Sequence, residues 1–158
     1  MDWDDIDDIL FVGTPEQIAA VRCPKCDGEL LCSYNAETRG TEIRCQGSCG
    51  TVIKGYKSSC VPNYAKTTML VDNAINITGR GTALIGDTKQ GEFKKGQMVE
   101  ILRNNVVIGC TEVNGFELIS RLDRDCCLGV MLRKVDGVDV VSGDYIRQVE
   151  KHEQVQTV

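Results

Sequence analysis

Cys23-Pro24-Lys25-Cys26 and Cys45-Gln46-Gly47-Ser48-Cys49 decide how this chain reads. Together they make a C-x2-C-x18-C-x3-C arrangement. Each pair is short enough for two thiolates to grip one ion from a single turn. The stretch between the pairs is long enough for one hairpin to bring them together, so the spacing predicts one structural Zn2+ held by Cys23, Cys26, Cys45 and Cys49. Turn residues agree: Pro24 stiffens the first knuckle, Gly28 ends it, and Gly47 with Gly50 offers the second the φ freedom of a metal loop. The competing reading is four cysteines that merely pack in a core.

Outward from the knuckles the pattern is β. Residues 29–34 read as a strand, Thr38-Arg39-Gly40 as a turn, 41–44 as the return strand and 51–56 as a third strand. Residues 22–57 are therefore expected to form a zinc ribbon. So small a unit buries little apolar surface, and its folding leans on roughly 10–16 kcal/mol of metal binding. Cys32 and Cys60 belong to no pair and read as packing residues.

Residues 1–21 form an acidic N-terminal segment. Trp3, Ile6, Ile9, Leu10 and Phe11 either line one face of a docked helix or belong to a solvated tail. Thr14 then caps a short helix with Pro15 at its first position. Residues 58–66, with Pro62 and Asn63, read as a linker. From 67 to 150, six or more short apolar runs alternate with glycine turns, and Asn104-Asn105 makes a tight turn, which predicts a closed antiparallel β-barrel. The fold class is thus mainly β, with a small zinc ribbon before the barrel. Residues 151–158 are expected to be a disordered tail.

The chain carries nine cysteines among 158 residues. Its start is acidic, unlike a secretion signal, and no apolar run approaches the roughly 20 residues of a membrane span. Reduced thiols and a cytoplasmic location are the expectation, with no membrane partner. The net charge of −5 is unevenly spread: −6 over residues 1–20, +3 over 21–66 and −2 over 67–158. Once four thiolates and a Zn2+ are counted, the middle segment is left near +1, a weak field for counterion-driven binding to nucleic acid.

The barrel segment also carries a resemblance. Ile77-Thr78-Gly79-Arg80-Gly81-Thr82-Ala83-Leu84-Ile85-Gly86 resembles the I-S-G-R-G-T-V-V-T-G stretch in the second domain of elongation factor Tu and related translation GTPases. Gly91, Lys94, Gly96, Val99, Glu100 and Ile101 are similar to that family's G-x-x-K-x-G-x-x-V-E-I stretch. Gly129-Val130-Met131-Leu132-Arg133 looks like its G-V-L-L-R segment. The resemblance covers residues 68–149 and implies the family's barrel. It lacks the GTPase domain: no G-x-x-x-x-G-K-[ST] loop occurs, so no nucleotide is expected to bind. In the family a glutamate after the fourth strand helps hold aminoacyl-tRNA, and the matching position here is Asn114. The matched glycines and Arg80 read as makers of the fold.

Enzyme chemistry is not expected. The single histidine, His152, lies in the tail, and four thiolates close a zinc shell against water or substrate. Cys126-Cys127 is a vicinal pair, but neighbours in a strand point to opposite faces, which argues against a redox role. Two binding roles remain. One is a protein–protein adaptor, of which a regulatory or immunity-type partner is an example. The other is a translation-associated accessory protein that binds RNA or the ribosome through Arg22, Lys25, Arg39, Arg44, Lys54 and Lys57, with Tyr34 and Tyr56 for stacking. Convergence of those basic side chains on one face around a tyrosine favours RNA. Scatter favours the adaptor.

Overall fold

A computed structural model of the chain describes residues 2–56, 61–89, 91–119, 127–134 and 137–149. It divides into two compact units, Met1–Lys66 and Thr67–Val158. The tail at 151–158, residues 58–60 of the expected linker, Lys57, Cys60 and Cys126 lie outside the described residues, as do the side chains of Tyr56 and Cys127.

The first unit begins with a helix. Asp2 and Asp5 form a reciprocal cap at the start of α1 (Trp3–Val12). At its end the Gly13 amide donates to the Ile9 carbonyl at 2.8 Å, where a Cβ would stand 2.4 Å from that oxygen. Thr14 and Gln17 cap α2 (Pro15–Ala20) the same way, with Pro15 in the first turn. Strands β1 (Leu30–Asn35), β2 (Gly40–Cys45) and β3 (Val52–Tyr56) pair antiparallel in chain order, the three-stranded sheet that the sequence predicts.

Of the two readings of the acidic segment, the helix is the one observed. Ile6 and Leu10 are 0 % and 2 % exposed and pack in one cluster with Val21, Ile43 and Tyr64, bordered by Trp3, Ile9 and Phe11. The acids face water while the apolar residues at helical spacing cover the sheet's inner face.

The expected linker differs too. Its described part, 61–66, holds a 3-10 turn at Asn63–Ala65 with Tyr64 buried. The Tyr64 hydroxyl donates to the Ser33 carbonyl at 2.7 Å, and Asn63 Nδ2 donates to the Gly13 carbonyl at 3.0 Å. The Tyr64 ring stands edge-on to Phe11, with centroids 5.6 Å apart. Pro62 and Asn63 mark a turn, as their chemistry requires, but the turn seats an aromatic anchor. Leu10→Ala is therefore expected to cost this unit about 2–5 kcal/mol, read by thermal unfolding with Trp3 emission. Truncating the exposed Asp8 should change it by no more than about 0.5 kcal/mol.

The second unit is a closed barrel of six antiparallel strands. They are β4 (Thr68–Ile77), β5 (Gly81–Lys89), β6 (Met98–Arg103), β7 (Val106–Ile119), β8 (Cys127–Leu132) and β9 (Tyr145–Gln148). Around the barrel the order is β4-β5-β8-β7-β6-β9. Met69, Val71, Leu84, Val99, Ile101, Val113, Val130, Leu132 and Ile146 fill the interior together with Phe93. Asn104 and Asn105 both have positive φ, 52° and 66°, the backbone of a tight two-residue hairpin.

In the sequence, Val106–Ile108 and Phe116–Ile119 look like separate runs. They belong to one 14-residue strand. A bulge between Val113 and Gly115 re-registers that strand, and Gly115 takes a φ of 152° that lets it pass from one neighbour to the next. Asn114 thus sits in a strand bulge, not in a loop after a strand.

Candidate metal centre

Both knuckles are built from local backbone hydrogen bonds. In the first, the Cys23 amide donates to the Gly28 carbonyl at 2.8 Å and the Asp27 amide donates to the Cys23 carbonyl at 2.9 Å. In the second, the Cys45 amide donates to the Thr51 carbonyl at 2.8 Å. The Gln46 amide reaches the Glu29 carbonyl at 2.8 Å and ties the two knuckles together. Because β1 pairs with β2 so that Leu30 opposes Cys45, the hairpin sets the second pair beside the first.

The four sulfurs converge. All lie within 4.8 Å of one another. The Cys23–Cys49, Cys26–Cys45 and Cys26–Cys49 separations are 3.5, 3.4 and 3.6 Å. A disulfide needs about 2.05 Å, and all four cysteines are free thiols. A tetrahedral ion with metal–sulfur bonds of about 2.3 Å sets its ligands roughly 3.8 Å apart, so a few tenths of an ångström of outward movement would seat one. Four sulfur donors select soft or borderline cations over Mg2+ and Ca2+.

Around the sulfurs stand groups that favour thiolate. The Lys25 amide points at Cys23 Sγ at 3.4 Å, the Gly47 amide at Cys45 Sγ at 3.2 Å, and the Thr51 hydroxyl lies 3.3 Å from Cys49 Sγ. A hydrogen bond from the Cys49 backbone, assisted by the Cys45 side chain, draws the Cys26 thiol down to about 6. Thr51 lowers Cys49. Burial pushes Cys45 up to about 12. Without an ion, Cys26 and Cys49 thus give up their protons more readily than a free thiol, while Cys45 holds its own. A cation would displace the retained proton. Cys32 faces the apolar side of the sheet outside the four, and burial raises its thiol to about 11.

The glycines act differently from their sequence reading. Gly50 has a φ of 60°, as expected, but the other left-handed position in the knuckles is Asp27, at 61°. Gly28 and Gly47 are required by close approach. A Cβ on Gly28 would stand 2.7 Å from Gly47 Cα, and one on Gly47 would stand 2.7 Å from Cys26 Sγ. The two knuckle backbones abut directly behind the sulfurs. Gly28→Ala and Gly47→Ala are each expected to weaken metal binding about 10–100-fold, measured by competition with a chromogenic chelator, whereas Gly50→Asn should bind nearly as the native chain does.

Among the described residues, the basic side chains named for the RNA reading lie at several places in the first unit. Arg22 Nη1 is turned back to the Ala19 and Val21 carbonyls, at 3.1 and 2.8 Å. Lys25 stands at the tip of the first knuckle and Arg39 in the β1–β2 turn at a φ of 59°. Arg44 and Lys54 share the outer face of the sheet, but Glu42 lies between them, at 3.4 and 3.9 Å. Tyr34 is half-buried and packs with the apolar cluster on the opposite face. The Tyr56 ring and Lys57 are outside the described residues.

Sequence reasoning missed Thr51 and the Gly28–Gly47 contact. The only advance signal was a glycine within two residues of a cysteine in each knuckle. No model of a known protein family matches this sequence.

Proposed function

We propose that this chain is a zinc-stabilised, non-catalytic binding module, an adaptor or regulatory factor whose partner is another protein. The observation that carries this reading is the closed set of four thiols, Cys23, Cys26, Cys45 and Cys49, all within 4.8 Å of one another. Zn2+ held by four thiolates has no position left for water or substrate, so the ion's contribution is to hold the knuckles together. The surrounding residues do the rest: Gly28 and Gly47 admit the close approach, and Thr51 with the Lys25 and Gly47 amides stabilises sulfur charge.

The scatter of Arg22, Lys25, Arg44 and Lys54, with Tyr34 on the other face, supports a protein partner over RNA. Six-stranded closure of the barrel is compatible with the resemblance to the second domain of translation GTPases, and on that ground RNA or ribosome binding is the second reading. Arg44 and Lys54 on one exposed sheet face are the observation in its favour. A nucleotide is not part of either reading, and the site of action is the cytoplasm.

The test is affinity capture from host lysate with the tagged native chain and its Cys26→Ser variant, each with and without nuclease. A defined protein retained through nuclease by the native chain, and lost with Cys26→Ser, is the expected result. Recovery that disappears on nuclease treatment moves the function to RNA.

A further inference from the structure

The four sulfur ligands are not equally sheltered. Cys23 and Cys45 are 3 % and 5 % exposed, Cys26 is half-buried and Cys49 is exposed. Residues 46–50 are open to solvent throughout, and a Cβ built on Gly50 would meet nothing within 4 Å. The second knuckle therefore buries one of its cysteines at the end of β2 and presents the other to water. Cys26 Sγ lies 3.6 Å from Cys49 Sγ, on the opposite knuckle. Cys23 Sγ is as near, at 3.5 Å, but it is buried and holds the Lys25 amide. Of the four ligands, Cys26 and Cys49 are thus the pair a solute can reach.

We propose that Cys49 and Cys26 form a peroxide-sensitive pair, through which oxidation releases the ion and reduction restores it. The proposal rests on the zinc reading above and adds regulation to it. Oxidation of a thiol follows its exposure, so Cys49 reacts first. Its sulfur attacks hydrogen peroxide: an S–O bond forms, the O–O bond breaks and hydroxide leaves. The Cys26 sulfur then attacks Cys49: the S–S bond forms, the S–O bond breaks and a second hydroxide leaves. Two thiolates give up two electrons and one peroxide takes them. Cys23 and Cys45 remain as two ligands, too few for a tetrahedral zinc site, and the ion departs. Thiol exchange with a cellular reductant reverses the step. Cys110 is also exposed, but it lies in β7 of the barrel, and its oxidation leaves the ion in place.

The test treats the metal-loaded full-length chain with stoichiometric hydrogen peroxide. Zinc is followed with a chromogenic chelator, and disulfides are mapped by alkylation and mass spectrometry. The expected result is one zinc released per Cys26–Cys49 disulfide, with zinc binding regained after dithiothreitol and release unchanged in Cys110→Ser. Cys49→His keeps a fourth ligand, since three cysteines and one histidine also hold structural zinc, but it cannot form the disulfide. It should retain its metal under the same peroxide. Metal content measured before the oxidant is added reports on the zinc reading by itself, and the disulfide is mapped in the metal-free chain as well. Zinc retained while other cysteines oxidise overturns the proposal. So does release with Cys26 and Cys49 still reduced, a disulfide joining Cys23 to Cys45, or equally fast release from Cys49→His.

Discussion

Chelating the metal should unfold the first unit and leave the barrel folded. Three short strands and two short helices share one small cluster around Ile6, Leu10, Ile43 and Tyr64. A core of that size supplies no more than about 3–5 kcal/mol, while zinc bound by four thiolates contributes about 10–16 kcal/mol. Loss of the ion therefore reverses the sign of stability in this unit. The barrel has its own core, and none of the four ligands lies in it. Trp3 borders the first cluster and is the only tryptophan in the chain, so its emission should shift to that of a solvated indole on chelation while the barrel's β signal survives. Unchanged Trp3 emission would mean that the cysteines only pack. Because bound thiolates must be free of protons, acid has the same effect: metal is lost as pH falls.

Asp144→Ala should cost the barrel about 3 kcal/mol, the low end for breaking a buried charge pair, because Asp144 is buried but its Arg103 partner is 39 % exposed. The Asp144 side chain is 2 % exposed. It accepts from Arg103 Nε and Nη2 and from the Val141 amide, each at 2.9 Å. Arg103 also donates to the Asp139 carbonyl at 2.7 Å. These bonds fasten the loop before β9 to the end of β6, next to the point where Tyr145 pairs with Leu102. Removing the carboxylate leaves the Val141 amide without its acceptor and costs Arg103 two hydrogen bonds, although its half-exposed guanidinium keeps the Asp139 carbonyl. For a barrel of this size each kcal/mol moves the midpoint by about 4–8 °C, so calorimetry should show the barrel transition falling by more than about 10 °C. Glu117→Ala offers the contrast. It breaks an ion pair whose Arg80 side chain is 56 % exposed, and should cost no more than about 1 kcal/mol. A small effect at Asp144 would mean that water replaces the lost partner.

What the sequence disclosed and what it hid divide along physical lines. The knuckles were legible because short-range geometry alone dictates them, as were the three ribbon strands and the barrel strands whose apolar runs end at glycine or asparagine turns. Interactions between distant segments were not. Tyr64 reaches Ser33 across 31 positions, and nothing beside Pro62 and Asn63 distinguishes that anchor from a linker residue. The acidic helix was ambiguous because its five aspartates fit a solvated tail as well as a helix with one apolar face; only the sheet it covers decides between them. Gly28 and Gly47 looked like sources of backbone freedom, whereas their role depends on a contact between knuckles 19 residues apart, a separation that gives no local sign. The bulge at Gly115 was hidden for the same reason: a strand that changes neighbours looks like two strands.

X-ray absorption at the metal edge of the protein as purified, with metal analysis on the same sample, tests the four-thiolate centre most directly. One zinc per chain with four sulfur neighbours at about 2.3 Å, and loss of that signal in Cys26→Ser, is the expected result. Well under one metal per chain, nitrogen or oxygen in the first shell, or an unchanged spectrum in Cys26→Ser would contradict it.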